Sequence, residues 1–463
     1  MKTSCRIAVL VCSCLFVCLG LTGAQSKSLL AQTPEPYNIV FILTDDQRAG
    51  DLAHMPNVQE HLVGQGTTFS RFTISFPLCC PSRATYLTGR YAHNHRTGFG
   101  GGLAAFFARS GAQRDTYATA LNAAGYRTGY FGKYMNGYQQ TRGKPAGWDD
   151  FYANVDRTVW SRCFNADGRG KKCHRSGNMD AFYGQRATSF VRGPGPFLAV
   201  YAPNAPHQNH NGPPPVPEQA IRQLGDPALP RGGSFNEADV SDKPGFIRTS
   251  SRLGDRKITE MARQHRARLG SLQVVDRYVG EMISSLADSG ELDNTYFFFA
   301  TDNGYHLGQH RMEAGKGTPY VEDVVFPLVV RGPGVPVDAR NELVQNTDLA
   351  PTFAELAGVP APVKADGRSF AAMLRGENLP WRDAALVEKR SDKGYYGLVT
   401  SDNETYVEWN GGFREYYDLD TDPHQLDNAH QTADTTRLAQ LDATLAGLRD
   451  CAGEGCWATG DGP

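Results

Sequence analysis

The sequence predicts an α/β fold: a large, mostly parallel central sheet flanked by helices, followed by a small C-terminal antiparallel sheet with a helix. Three observations carry this expectation. From Asn38 onward, short apolar runs alternate with helical patterns, as in domains whose parallel strands are joined by helices. Glycine- and proline-rich breaks punctuate the alternation. Near the C-terminus the pattern changes to YYGLVTSDNETYVEWNGGFREYYDLD, which reads as an antiparallel meander with an Asn-Gly-Gly turn.

Taken in order, NIVFIL (38–43) is a short buried strand, and a helical stretch then runs to about Ala124 and stops at Gly125. The strand YRTGYF follows, and FLAVYA (197–202) is the next. The segment PNAPHQNHNGPPPVPEQ breaks regular structure and belongs on the surface. Leu272, Val275, Val279, Met282 and Leu286 fall on one helical face that ends at Gly290, and TYFFFA (295–300) is a further strand. After LVVRGPGV comes a helix around Leu349 to Leu356, and RSFAAMLRGENLPWR marks the exit from this domain. The last helix carries Leu438, Leu441, Leu445 and Leu448 on one face.

The 463 residues include 47 Lys and Arg against 49 Asp and Glu, a net charge of −2 that implies no basic surface for nucleic acid. The leader MKTSCRIAVLVCSCLFVCLGLTGAQS has Lys2 and Arg6 before an apolar run that ends in small residues, so residues 1–24 read as a signal peptide. The alternative is an uncleaved leader, which would be the protein's only membrane anchor. A secreted or otherwise extracytoplasmic location follows from either. Beyond the leader, six of the ten cysteines remain. Cys163 with Cys173 and Cys451 with Cys456 bracket short polar loops and are expected to form disulfides. Cys79 and Cys80 are left over, and joining adjacent cysteines would force a strained ring.

In open α/β sheets, ligands bind beyond the carboxyl ends of strands. Four such loops carry polar groups: Asp45 and Asp46 in TDDQ, Lys133 in GK, His207 in APNAPH, and Asp302 and Asn303 in TDNG. Each has a plain alternative: a turn or cap for the acids, a hydrogen-bonded loop residue for His207, a solvated surface charge for Lys133 or Lys316. Brought to one sheet edge, the three acids and the amide would offer oxygen donors to a hard cation such as calcium or magnesium. In PLCCPSRATYLTGR (77–90), Pro81 suits the first turn of a helix, which sets Cys79 just before a helix N-terminus. Free amides there, with Arg83 one turn on, favour an anion.

Cys79, Pro81, Ser82 and Arg83, followed by Leu87, Thr88, Gly89 and Arg90, resemble the signature of the type I sulfatases. NIVFILTDDQ, AAGYRTGYFGKY, TDNGYHLGQH, GKGTPY, FPLVVRGPGV and EYYDLDTDPHQLDN resemble further family blocks in family order, and LCCPSRATYLTGRYAHNH, GKYMNGY and DNGYHLGQ are most similar to the N-acetylglucosamine-6-sulfatase branch. The resemblance implies an alkaline-phosphatase-like fold with a catalytic domain over 36–378 and a C-terminal subdomain over 379–463. It also implies that Cys79 is oxidised to formylglycine (3-oxoalanine) by a formylglycine-generating enzyme, and that Asp45, Asp46, Asp302, Asn303 and the modified Cys79 hold calcium. Lys133, His207 and Lys316 would grip the sulfate, Arg83 would orient the formylglycine, and His306 is a further candidate for contact with substrate. The expected substrate is a sulfated carbohydrate or an aryl sulfate. The alternatives are a broad arylsulfatase, a phosphonate or phosphate ester hydrolase of the same superfamily, and a sulfated-glycan binding protein that keeps the Cys79 thiol. The family's histidine shortly after the Lys133 position is replaced by Met135 and Asn136, so the resemblance assigns that role to no residue here.

Overall fold

The computed structural model describes residues 36–460 apart from 99–102, 139–142, 156–161, 176, 210–212, 215, 217 and 226. The signal peptide expected at 1–24 lies outside the described residues. Ten strands form one sheet: β1 (Asn38–Thr44), β2 (Thr67–Phe69), β3 (Arg127–Gly132), β4 (Asp150–Asn154), β5 (Cys163–Ala166), β6 (Lys171–Cys173), β7 (Phe197–Ala202), β8 (Thr295–Thr301), β9 (Leu328–Arg331) and β10 (Asp338–Arg340). Their order is β10-β2-β9-β8-β1-β7-β3-β4-β5-β6. The centre, β8-β1-β7-β3-β4, is parallel, whereas β9 pairs antiparallel with both β8 and β2, and β5 with both β4 and β6.

Strand side chains alternate between faces, and both faces of the central sheet are covered. Phe41 and Phe298 lie against Phe353, and Phe41 also meets Tyr86. These partners come from helices α1 (Cys79–Thr88) and α4 (Leu349–Leu356). On the opposite face, Phe131 packs on Phe190 and the Tyr201 hydroxyl donates to the Asp180 carbonyl at 2.9 Å. Both belong to α2 (Met179–Val191), which packs in turn on α3 (Asp255–Asp288).

A second sheet of four antiparallel strands runs from Ala384 to Asp418, and its last hairpin turns at Asn410-Gly411-Gly412 with both glycines at positive φ. Helix α5 (Thr435–Arg449) buries Leu441, Leu445 and Leu448 in a common cluster with residues of this sheet, and Leu438 is partly buried beside them. Both expected disulfides, Cys163–Cys173 and Cys451–Cys456, are present. Among the described residues, no helix is long and apolar enough to cross a membrane.

Two expectations are corrected. Residues 45–124 are not one helical stretch: short helices at Ala49–His54, Pro56–His61, Leu103–Arg109 and Tyr117–Ala123 are interrupted by β2 and by α1. Gly66, approached by the Val330 carbonyl, and the β-branched pair Thr67-Thr68 bring this stretch into the sheet between β9 and β10 instead. Cys79 is itself the first residue of α1 rather than the residue before it. Leu78 is extended and caps the helix, and its carbonyl accepts the Ser82 N–H at 3.1 Å, which is the first helical bond.

Candidate active site

Four adjacent parallel strands, β8, β1, β7 and β3, end at one edge of the sheet, and each delivers a polar loop there. Backbone bonds tie the loops together: Asp302 N–H to the Thr44 carbonyl at 3.0 Å, Asp45 N–H to Ala205 at 3.0 Å, and Lys133 N–H to Ala202 at 2.7 Å. Gly132 makes the last approach possible, because a Cβ there would lie 1.8 Å from the Ala202 oxygen and its φ is +132°.

Helix α1 closes the site from above the strand ends. All ten of its residues are buried although half are polar, so each polar side chain needs a partner. Ser82 Oγ accepts from Asn346 at 3.2 Å, Thr85 meets His95 at 3.1 Å, Tyr86 donates to the Thr301 carbonyl at 2.8 Å, and Thr88 donates to Ala84 at 2.7 Å. Arg83 donates through Nε to Asp302 at 2.8 Å and through Nη1 to the Lys133 carbonyl. Its Nη2 lies 3.9 Å from Asp45 Oδ2 and has no hydrogen-bond partner.

Single ligand atoms of Asp45, Asp46, Cys79 and His207 lie within 4.8 Å of one another. The Cys79 thiol donates to Asp45 Oδ1 at 3.4 Å and stands 3.9 Å from Asp46 Oδ1. Lys133 pairs with Asp45, and Lys316 pairs with Asp46 and reaches Cys79 Sγ at 2.7 Å. Lys316 returns to the site because its loop closes through reciprocal backbone bonds between His306 and Gly315 at 2.9 and 3.0 Å. Asp302 stands outside the four-residue group; its carboxylate accepts from the Asp46 N–H at 3.1 Å and from Arg83. Asn303 donates to Asp46 Oδ1 at 2.7 Å, and its own Oδ1 is buried without a partner. That orphaned oxygen, on a residue bonded to Asp46, is a donor that a hard cation would satisfy.

The electrostatics follow from this packing. Burial pushes Asp45 up, but Lys133, with His207, Arg83 and Lys316 behind it, holds it well below the usual carboxylate range. Burial likewise opposes the ionisation of Asp46, and Lys316 and His207 outweigh it. Asp302, buried and facing the charge of Asp45, is pushed up to about 6. Burial, helped by Asp45, raises the Cys79 thiol far above its ordinary value, so this thiol is not a ready thiolate. Burial holds His207 low. Its Nδ1 lies 2.6 Å from the Gln208 carbonyl and must carry a proton there, which leaves Nε2 facing Asp46 Oδ2 at 3.5 Å.

His306 does not join this cluster; its Nδ1 sits 3.0 Å from both oxygens of Asp323. Cys80 is buried and accepts the Asn136 N–H at 2.9 Å. Two supporting residues escaped the sequence reading. Arg268 of α3 donates to the carbonyls of Asp46 and, at 3.0 Å, Pro206. Asp180 accepts the N–H groups of Asn204 at 2.7 Å and Ala205 at 3.0 Å, fixing the loop that carries His207. The signal for Arg268 was its position four residues before Leu272, on the helix face otherwise given to apolar side chains.

The sheet topology defines an alkaline-phosphatase-like α/β protein, with a buried cluster at its strand ends that could coordinate a metal ion. More particularly, a family model described as Sulfatase matches residues 37–359, and one described as N-sulphoglucosamine sulphohydrolase, C-terminal, matches 308–450. The chain belongs to the sulfatase family. It is 34% identical over 373 residues to the extracellular sulfatase SULF-1 homolog of Drosophila melanogaster, covering 76% of this chain and 33% of that protein. It is 29% identical over 500 residues to the N-acetylglucosamine-6-sulfatase of Homo sapiens, covering 96% and 89%. The chain spans about half, 52%, of the corresponding Caenorhabditis elegans protein. A structure solved in complex with its substrate D-glucosamine-2-N,6-O-disulfate shares the fold, with a TM-score of 0.69 over 89% of this chain and 97% of that one at 22% identity. These matches do not separate the N-acetylglucosamine-6-sulfatase branch from related sulfatases.

Proposed function

We propose that this protein hydrolyses sulfate monoesters, with the 6-O-sulfate of N-acetylglucosamine or a related sulfated carbohydrate as substrate, using a formylglycine made from Cys79. The observation that carries this reading is the buried cluster itself, in which Asp45, Asp46 and Asp302 are set against Arg83, Lys133 and Lys316 around the side chain of residue 79. Burial disfavours the thiolate of unmodified Cys79. Formylglycine, when present, supplies a hydrate with one hydroxyl to attack sulfur and a second whose deprotonation releases sulfate. Asp45, Asp46, Asp302, Asn303 and residue 79 would hold calcium, or magnesium in its place, which would neutralise charge on the group under attack.

The remaining work falls to fixed side chains. Lys133 and Lys316 bind the free sulfate oxygens, and Arg83, anchored on Asp302 and the Lys133 carbonyl, keeps the side chain of residue 79 aimed between them. Because His207 Nδ1 is committed to the Gln208 carbonyl, Nε2 is the ring nitrogen left to serve the leaving oxygen, and it gains the proton to donate only on forming the imidazolium, which burial disfavours and the neighbouring Asp46 and Asp45 favour. The apolar leader and the two disulfides support maturation outside the cytoplasm, after a formylglycine-generating enzyme has acted. We assign catalysis to residues 36–378 and a supporting role to the C-terminal subdomain, 379–463.

The test pairs the mass of the 77–90 peptide, on protein made in a host able to carry out the modification, with rates on matched sulfate and phosphate monoesters. An aldehyde mass and a clear preference for sulfate are expected. A retained thiol with ligand binding but no turnover would make the protein a glycan binder, and a preference for phosphate would make it a phosphoryl ester hydrolase.

A further inference from the structure

We infer that Gln208 and Gln264 form the seat for the sugar ring of the leaving alcohol, and so select sulfated carbohydrates over simple aryl sulfates. The inference rests on the sulfatase reading and deepens it. A cleft of about 360 Å³, within the range of small-ligand sites, is lined by Gln208, Asn209, Lys257, Arg263, Gln264 and Glu313. Two of its walls belong to the segments that deliver the catalytic groups. Gln208 follows His207 directly, and Glu313 and Ala314 lie just before Lys316. The cleft therefore shares its walls with the segments that carry His207 and Lys316, where the alcohol skeleton of a bound ester has room to lie.

The chemistry of the wall narrows what that alcohol can be. Gln208 Oε1 accepts from the Tyr305 hydroxyl at 3.0 Å and from Gln264 Nε2, so both of its lone pairs are committed and the amide orientation is fixed. Among the described residues, neither Gln208 Nε2 nor Gln264 Oε1 has a hydrogen-bond partner. Gln264 is 9% exposed, so its amide is held in place rather than solvated on a mobile stem. Tyr305 is itself held by the Arg268 guanidinium, 3.9 Å above its ring, and Arg268 grips the Asp46 and Pro206 carbonyls. The amide pair is thus fixed relative to the metal-binding edge through a short chain of packed groups. It leaves one donor, Gln208 Nε2, and one acceptor, Gln264 Oε1, uncommitted on two residues that line the cleft. A ring hydroxyl or an acetamido group answers both at once, whereas an aryl ring answers neither.

The experiment measures kcat/KM of the wild-type enzyme and of Gln208→Met and Gln264→Leu on N-acetylglucosamine 6-sulfate and on a simple aryl sulfate, with thermal unfolding of each variant as a check on folding. The expected result is a fall of about tenfold or more in the sugar-to-aryl ratio of kcat/KM, expressed mainly in KM for the sugar, as for loss of one to two uncharged hydrogen bonds. An unchanged ratio, including equal loss on both substrates, overturns the inference and makes the pair structural. Hydrolysis of the aryl sulfate but not the sugar by wild type overturns the inference while leaving the sulfatase reading intact. Turnover of neither by aldehyde-bearing wild-type enzyme overturns both.

Discussion

Arg83→Lys is the substitution that separates geometry from charge. The arginine is 1% exposed and makes two anchored contacts, Nε to Asp302 at 2.8 Å and Nη1 to the Lys133 carbonyl, while Nη2 faces Asp45 at 3.9 Å. Lysine keeps the charge but has a single Nζ, which can serve Asp302 or the carbonyl and not both. Losing one buried bond to a charged group costs about 1.5–3 kcal/mol. The carbonyl at risk belongs to Lys133, whose side chain pairs with Asp45, so the loss falls on a group proposed above to bind sulfate. If it is felt fully in the transition state, kcat/KM drops by about 10- to 100-fold. The assay is steady-state hydrolysis of an aryl sulfate, with the mass of the 77–90 peptide verifying that residue 79 carries the aldehyde, since Arg83 also belongs to the modification signature. An aldehyde-bearing variant with kcat/KM within about twofold of wild type would refute the reasoning, because a cost of that size corresponds to at least about one decade in rate.

Cys79→Ala removes the proposed precursor of the attacking group, and ester hydrolysis should vanish with little change in thermal unfolding; normal turnover would sink the assignment of the nucleophile. Asp302→Ala should lose bound calcium and activity together, read by elemental analysis and rate, and a calcium-replete, active variant would count against the metal site. Gly132→Ala should destabilise the fold by several kcal/mol, because its Cβ would overlap the Ala202 carbonyl of the neighbouring strand at an unfavourable φ. Stability should also fall in acid through His95. Burial, with Arg90 nearby, holds it down to about 3 while its Nδ1 accepts the Thr97 N–H at 3.0 Å. Its folded value lies below the unfolded one near 6.5, so its contribution is present above that pH and is lost as pH falls toward 3, on the order of 4–5 kcal/mol in full. Urea unfolding at a series of pH values would show a shallower acid limb in His95→Gln, and an unchanged limb would refute this.

What could be read from the sequence follows from how much of each signal is local. The four central strands were legible because a strand buried on both faces is a continuous apolar run, and the loops after them were legible because strand ends are where such folds bind ligands. Three-residue strands such as Lys171–Cys173 and Thr67–Phe69 were not: so short a run carries no periodicity, and the pairing of Thr67–Phe69 is set by partners far along the chain, Val330 in the case of Thr67. Lys316 could be nominated by family resemblance alone, since its return to Asp46 depends on the bridge between His306 and Gly315. Arg268 announced itself only as a charge on an apolar face, and its partners, two backbone carbonyls, leave no trace in composition.

Helix α1 shows why its motif was readable at all. An ordinary surface helix tolerates many sequences because water satisfies its polar face, whereas α1 is buried on every side, and its polar groups must each meet one particular partner. Ser82 needs Asn346, Arg83 needs Asp302, Thr85 needs His95 and Tyr86 needs the Thr301 carbonyl, so few other side chains fit these positions. Gly89 closes the helix at φ +70°, where a Cβ would press on the Thr347 carbonyl at 3.1 Å. The same constraints that place Cys79 beside Asp45 and Lys316 thus restrict the residues after it, and the restriction along the chain is the record of a three-dimensional requirement at the strand ends.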